Sequence, residues 1–296
     1  MYHPSDHDVD LSEEEFRLLR DFIHERFGLY FEDNQQASLR SRLAGRLASL
    51  DLMTFEDYYH YLRFGPQRVE ELDKVVSHLT NNETYFFRES PQLQVFAEHV
   101  LRNTKERKLA ESAQGTPQRT LRILSAGCST GEEAHTLAMI VYDSGQFFWN
   151  WDVQVVGVDV DHQALEKARR GMYFSNSFRS LSPALLARHF VRQGTGATVK
   201  DAIRKMVSLR HANLVEPATF DGLAPVDVIF CRNVLIYFSD AMILKVVRTF
   251  HDLLAPGGYL FLGHAESLSR ITDLFTPIRF QGAMVYQKPL PPAEGR

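Results

Sequence analysis

The sequence predicts an α/β fold: a Rossmann-like, mostly parallel sheet that ends in an antiparallel hairpin, carries a small inserted segment, and follows an all-α N-terminal domain. Three observations carry this. The first 80 residues show helical periodicity and no strand signal. From Leu121 onward, apolar runs alternate with helical patterns, which implies parallel strands joined by helices. The first of those runs meets a small-residue turn, Ala126-Gly127-Cys128-Ser129-Thr130-Gly131, that opens a helix with two acids, Glu132 and Glu133.

Composition bounds the rest. A chain of 296 residues with 44% hydrophobic content has room for two domains with real cores. A net charge of −4 gives no bulk electrostatic reason to expect nucleic-acid binding. The two cysteines, Cys128 and Cys231, are too few for a disulfide framework. The N-terminus is acidic and polar, unlike a signal peptide, and no apolar run approaches the roughly 20 residues that cross a bilayer. The expectation is a cytoplasmic, monomeric protein.

Along the chain, Ser12 and Glu15 make a capping box, and Phe16, Leu19, Phe22, Ile23 and Phe27 then share one helical face until Gly28 stops it. Leu39, Leu43 and Leu47 mark a second helix. Thr54 caps a third carrying Phe55, Tyr58, Tyr59 and Leu62, which Gly65-Pro66 ends. Val69, Leu72, Val75, Val76 and Leu79 mark a fourth. Residues 1–80 are therefore a small helical bundle. Residues 81–120 read as a linker with a helix beginning near Pro91, and the polar stretch Asn103–Thr120 as a connection or that helix's frayed end. The sheet domain spans 121–288. Its strands are expected at Leu121–Ser125, Val153–Val158, Val207–Leu209, Val226–Cys231 and Tyr259–Gly263, its helices at Glu132–Asp143, His162–Arg170 and Asp240–Leu254, and a hairpin around Gln281-Gly282. Between about residues 172 and 206 an insertion breaks the alternation: either a small functional subdomain or an irregular crossover. Residues 289–296 (PLPPAEGR) read as a disordered tail.

The motifs fall at strand ends, where open α/β sheets bind ligands. The first turn lacks the third glycine of a dinucleotide fingerprint and places acid where a pyrophosphate needs bare amides. Acid there suits a ligand with positive charge and no phosphate, such as S-adenosylmethionine. Asp159, ending the second strand, is placed to accept both hydroxyls of a ribose, because Asp161 is the better cap for the next helix. After the fourth strand, Asn233 can present an amide to a polar ligand and Tyr237 a ring and hydroxyl to the reacting centre, while Phe238 reads as core. Arg88, in Thr80–Arg88 at the junction of the two domains, makes sense near a cationic cofactor if it engages a carboxylate, the methionine moiety's or a substrate's. The alternative is a structural ion pair with Glu83 or Glu89. The histidines show no metal-ligand spacing.

Taken together, TNNETYFFRE (80–89), SAGCSTGEE (125–133), VGVDVD (156–161), the insertion, ANL (212–214), FCRNVLIYF (230–238) and GGYLFLGHAESL (257–268) resemble the chemotaxis receptor methyltransferases of the CheR type over almost the whole chain. That family transfers a methyl group from S-adenosylmethionine to glutamate side chains of bacterial chemoreceptors, on a class I methyltransferase fold with a small antiparallel β insertion. The resemblance implies that Asn82, Thr84 and Arg88 contact the cofactor or reaction centre and that Gly127 belongs to the cofactor turn. Glu133 would hold the methionine moiety, Asp159 the ribose, and Asn213 and Leu214 the adenine. Asn233 and Val234 would line the site, and Tyr237 would sit beside the transferring methyl. Arg88 and Tyr237 are the implied catalytic pair. In some members the insertion docks a receptor C-terminal peptide; here the segment around Gly194-Thr195-Gly196 is shorter than in enteric members. Ala134-His135-Thr136 departs from the family's usual proline-tyrosine-serine and is expected to change packing. By itself the cluster Arg40, Arg42 and Arg46 reads as a solvated basic face, but the family's helical domain faces an acidic helical receptor, so the resemblance makes it the candidate docking surface for the cytoplasmic helical domain of a chemoreceptor. The competing readings are a small-molecule methyltransferase and a cofactor-binding signalling module without turnover.

Overall fold

The computed structural model describes residues 9–113 and 119–291. The expected tail falls largely outside them, at 292–296. The helical domain comprises α1 (Glu13–Phe27), α2 (Gln36–Ser49), α3 (Phe55–Phe64) and α4 (Arg68–Leu79). The Ser12–Glu15 box is formed, Thr54 accepts from the Asp57 amide, and Gly28 ends α1 in a left-handed conformation (φ 77°). Phe16, Leu19, Ile23, Leu39, Leu43, Leu47, Phe55, Tyr58 and Val75 bury together as its core.

The arginines of α2 correct one expectation. Arg46 makes a two-pronged bond to Glu71 (2.9 and 2.7 Å), a carboxylate that also accepts from Tyr58 Oη (2.8 Å) and is 1% exposed. A buried carboxylate needs this partner, so Arg46 holds the bundle together and is not a free docking cation. Arg40 donates to the Val9 carbonyl (2.8 Å). Arg42, which is exposed, donates to the Leu79 carbonyl at the end of α4 (2.6 Å).

A long helix follows: α5 (Ser90–Val95), a π turn (Phe96–Val100) and α6 (Leu101–Ala113). The stretch from Asn103 to Ala113 is thus helical although polar nearly all round. Arg107 and Lys108 explain it, since both reach the fully buried Asp227 in the sheet (2.7 and 3.0 Å). A tertiary ion pair holds what amphipathicity does not.

The second domain runs β1 (Thr120–Ala126), α7 (Glu132–Ser144), β2 (Asp152–Asp159), α8 (His162–Arg170), the insertion, β6 (Val207–His211), β7 (Val226–Cys231), α11 (Asp240–Leu253), β8 (Leu254–Leu262) and the hairpin β9 (Thr276–Phe280) and β10 (Ala283–Gln287). The insertion contains β3 (Met172–Tyr173), α9 (Pro183–His189), β4 (Phe190–Gln193), β5 (Gly196–Val199) and α10 (Asp201–Arg204). Its strands form a separate antiparallel sheet in the order β3-β5-β4, so it is a small subdomain and not an irregular crossover. The main sheet has seven strands ordered β6-β2-β1-β7-β8-β10-β9, parallel except for the hairpin. Strand β8 begins five residues before its expected start at Tyr259, because Leu254 already pairs with Val226 across an irregularity. Two apolar layers, one on each face, bury the sheet. Among the described residues no helix is long and apolar enough to cross a membrane.

Candidate active site

The order β2-β1-β7 brings the ends of β1, β2 and β7 side by side, and the segment between α4 and α5 lies across them. Between them is a cavity of about 270 Å³. Its lining includes Asn82, Thr84, Arg88, Gly127, Glu133, Asp159, Asn213, Leu214, Asn233, Val234 and Tyr237. Every pocket residue singled out in the sequence thus faces one space.

The turn after β1 is held by Gly127 and Cys128 amides, which both donate to the Val158 carbonyl (2.8 and 2.9 Å). Gly127 has φ 77°, and a Cβ there would stand 2.5 Å from Val234 Cγ2, so only glycine lets the two strand-end loops touch. The Ser129 amide donates to Asp159 Oδ2 (2.7 Å) and the Asp161 amide to Asp159 Oδ1 (2.9 Å). Burial outweighs these donors and pushes the Asp159 carboxyl up to about 6. Each oxygen keeps acceptor capacity toward the cavity. Asp161 caps α8, as expected, through the Gln163 and Ala164 amides.

Asp161 also ties the domains together, accepting from Ser77 Oγ on α4 (2.6 Å) and from Asn82 Nδ2 (2.7 Å). Asn82 Oδ1 accepts from Ser129 Oγ (2.9 Å). The Asn82 side chain is therefore spent on holding its loop against the first turn. Further along, Phe86 is fully buried against Tyr173, Phe178 and Phe190 of the insertion. These two anchors fix the irregular segment and turn that carry Thr84 and Arg88. Arg88 donates to the Glu83 carbonyl (3.0 Å) and lies beside the Tyr85 ring. The ion-pair alternative does not occur: Glu83 pairs with Arg179 and Glu89 with His264.

The two acids of the α7 first turn do different work. Glu132 is 2% exposed and accepts from Thr130 Oγ1 (2.6 Å) and Ser177 Oγ (2.8 Å), fastening the insertion to the turn. Glu133 accepts from Ser125 Oγ (2.7 Å) and from Arg232 Nε (2.7 Å). Any ligand ammonium at Glu133 has to share that carboxylate with Arg232. His135 and Thr136 are buried: His135 meets Tyr173 Oη (3.2 Å), and Thr136 Oγ1 accepts from the Phe87 amide (3.2 Å).

Beyond β7, Asn233 Nδ2 donates to Glu89 Oε1 (3.2 Å), which leaves its carbonyl oxygen as the group available to a ligand. The Tyr237 carbonyl accepts from the Tyr30 amide (2.8 Å), and Leu29 bridges to Phe238, so the helical domain closes one wall. Asn213 Nδ2 donates to the Arg26 carbonyl (2.8 Å), which directs its role toward shaping that wall. Arg232 and Glu266 are not singled out by the sequence, which offers Glu89 only as a partner for Arg88. All lie inside or beside the quoted motifs, but nothing in a single sequence distinguishes a buried charge from an exposed one. Cys128 and Cys231 are buried free thiols.

Away from this cavity, Asp73, His162 and His211 bring donor atoms within 4.8 Å of one another, a cluster that sequence spacing does not show. The two rings are stacked 3.8 Å apart and 7° from parallel. Imidazole binds a metal in its ring plane, and two parallel planes share no such point.

The cavity's donor set fits S-adenosylmethionine. With Glu133 matched by Arg232 and Glu83 by Arg179, its remaining charges are the carboxyl of Asp159 and the guanidinium of Arg88, and Phe27, Leu29, Leu214 and Phe238 supply apolar wall. Fold and site together define a class I methyltransferase with an added helical domain. Residues 82–284 match the family described as CheR methyltransferase, SAM binding domain, and residues 14–80 the CheR methyltransferase, all-alpha domain. The chain belongs to the CheR methyltransferase family and is a S-adenosylmethionine-dependent methyltransferase. It is 34% identical over 283 residues to chemotaxis protein methyltransferase 2 of Vibrio cholerae, covering 95% of each chain. It is 35% identical over 283 residues to the chemotaxis protein methyltransferase of Escherichia coli, covering 93% of this chain and 91% of that one. Chemotaxis protein methyltransferase 1 of Pseudomonas aeruginosa is 32% identical over 280 residues, covering 92% of this chain and 97% of that one.

Proposed function

We propose that this protein esterifies glutamate side chains of the cytoplasmic helical domain of bacterial chemoreceptors, giving glutamate methyl esters and S-adenosylhomocysteine. The observation that carries the reading is the meeting of Arg88 and Tyr237 with the Asp159 turn in one cavity walled by the helical domain. Bound S-adenosylmethionine supplies a methyl group made electrophilic by its sulfonium. Asp159 accepts the ribose hydroxyls, Asn213 and Leu214 border the adenine, and Gly127 lets the backbone approach closely. Arg88 engages a carboxylate, and Asn233, Val234 and Tyr237 line the path of the methyl.

The substrate needs no general base. A glutamate side chain has a reference pKa of ~4.3 and is already an anionic nucleophile at neutral pH. The residues' task is alignment of oxygen, methyl carbon and sulfur. Opposite charges annihilate in the transition state, so a water-poor cavity favours the step.

Residues 1–80 serve as the receptor-docking domain, 81–120 complete the cofactor site, and 121–288 form the cofactor-binding domain. The protein acts in the cytoplasm as a monomer recruited to receptor arrays, with the insertion as the place where a receptor C-terminal peptide would dock. The test is isothermal titration with S-adenosylhomocysteine beside an Asp159→Ala variant, followed by methyl transfer to a purified receptor signalling fragment. Binding lost in the variant and transfer requiring receptor support the reading. Transfer in extracts lacking receptor would instead favour a small-molecule substrate.

A further inference from the structure

The chain leaves β7 at Cys231 and reverses at once, with Asn233 in a left-handed conformation (φ 59°). Such a turn points successive amide N–H groups into one concavity, a shape that attracts an anion. Here the anion is internal. Glu266 Oε2 accepts from the Asn233 amide (3.0 Å) and the Gly263 amide (2.5 Å), and Glu266 Oε1 from the Val234 amide (2.9 Å) and the Ile236 amide (3.3 Å). Glu266 is 8% exposed and forms no ion pair among the described residues, so four backbone dipoles alone face its charge. The packing is tight enough that a Cβ on Gly263 would stand 2.8 Å from Glu266 Oε2 and 2.9 Å from the Asn233 nitrogen.

The turn gripped in this way is the one that carries Asn233, Val234 and Tyr237 to the cavity. Glu266 itself follows β8, so its carboxylate ties together the ends of two adjacent parallel strands, β7 and β8. Val234, held at its own amide, is also the side chain that closes on Gly127.

We propose that Glu266 is a positioning residue for methyl transfer: its carboxylate fixes the Asn233–Tyr237 turn and, through it, the Tyr237 hydroxyl and the Asn233 carbonyl beside the reacting atoms. This rests on the methyltransferase reading above. Without the carboxylate, buried amides lose their acceptors and the turn opens to find water. Glu266 does not line the cavity; it acts through the turn.

The experiment compares full-length wild type, Glu266→Ala and Glu266→Gln in receptor methylation and S-adenosylhomocysteine titration, with and without sodium formate. Glu266→Ala is expected to lose about a hundredfold in kcat, since misplacement by an ångström costs that much, with a much smaller change in KM for receptor. Formate supplies two oxygens to the emptied nest and restores turnover in a saturable way, whereas sodium chloride at equal ionic strength does not. Glu266→Gln fills the same space with an amide N–H₂ facing N–H donors, so kcat falls and formate gives no rescue. A folded variant with wild-type kcat, or a loss in Glu266→Ala that formate leaves unchanged, overturns the proposal. Failure of both variants to fold assigns Glu266 to stability alone and overturns it too. No transfer by wild type is a different result, because it removes the methyltransferase reading itself.

Discussion

Arg232 closes on Glu133 with Nε 2.7 Å from Oε2, in a pair whose side chains are only 3% and 12% exposed. Arg232 also donates to the Arg88 carbonyl (2.9 Å), so one guanidinium joins the first turn, the end of β7 and the segment between the domains. Breaking a buried pair from one side strands the other charge. Arg232→Met should therefore destabilise the protein by about 3–5 kcal/mol in urea denaturation, and adding Glu133→Gln should recover much of it. A single variant within about 1 kcal/mol of wild type would show that the pair is solvated or replaceable.

Asp159 makes the cofactor-free protein pH-sensitive. Its folded-state carboxyl titrates at about 6, above the ordinary 3.8, because burial disfavours the charge. A raised pKa means that the folded state holds the proton more tightly. The associated stability is present below pH 3.8 and is lost as pH rises through about 6. Two pKa units correspond to about 3 kcal/mol. Relative to Asp159→Asn, wild type should lose roughly that amount between pH 4 and 7 in chemical denaturation. Ribose hydroxyls favour the ionised form, so S-adenosylhomocysteine should bind more weakly below pH 6 than at pH 8. A pH-independent Kd would contradict the ribose assignment.

Tyr237 and Arg88 should separate by kinetics. Tyr237 lies in the cavity lining, and its backbone is tied to Tyr30 independently of the ring. Tyr237→Phe should keep S-adenosylhomocysteine affinity within about threefold and lower kcat by tenfold or more, the signature of an interaction made mainly in the transition state. Arg88→Ala should damage both binding and turnover, because among the described residues its guanidinium has no carboxylate partner and is left to engage a ligand's. Unchanged turnover in the tyrosine variant would remove Tyr237 from the reaction centre.

Much of this arrangement is legible in the chain because local chemistry and tertiary structure agree. Ser12 with Glu15, Thr54 and Asp161 each announce a helix start, and each cap is formed. The run Val226–Cys231, apolar but for Asp227, reads as a strand and is buried on both faces. The illegible parts are those decided by distant partners. The helix through Asn103–Ala113 stands on Asp227, more than a hundred residues away. Glu133 looks like a free ligand group until Arg232 is folded against it, and Glu266 looks like a loop acid until four amides converge on it.

The same logic decides how receptor docking by α2 can be tested. Arg46 and Tyr58 Oη both bond Glu71, and burial together with that carboxylate raises the Tyr58 pKa far above its ordinary value. Arg46→Ala would leave buried Glu71 with only the more distant Lys74 ammonium (3.7 Å) and should cost about 3 kcal/mol, so lost receptor methylation in that variant would report destabilisation. Arg42 is the discriminating position, since it is exposed and among the described residues bonds carbonyl groups at the end of α4. Losing such bonds costs about 1 kcal/mol. Arg42→Gln should then stay folded, keep S-adenosylhomocysteine affinity, and lower kcat/KM for receptor with a shallower dependence on salt, because one cation fewer faces an acidic partner. A folded Arg42→Gln protein with wild-type kcat/KM and an unchanged salt slope would move the docking surface off α2.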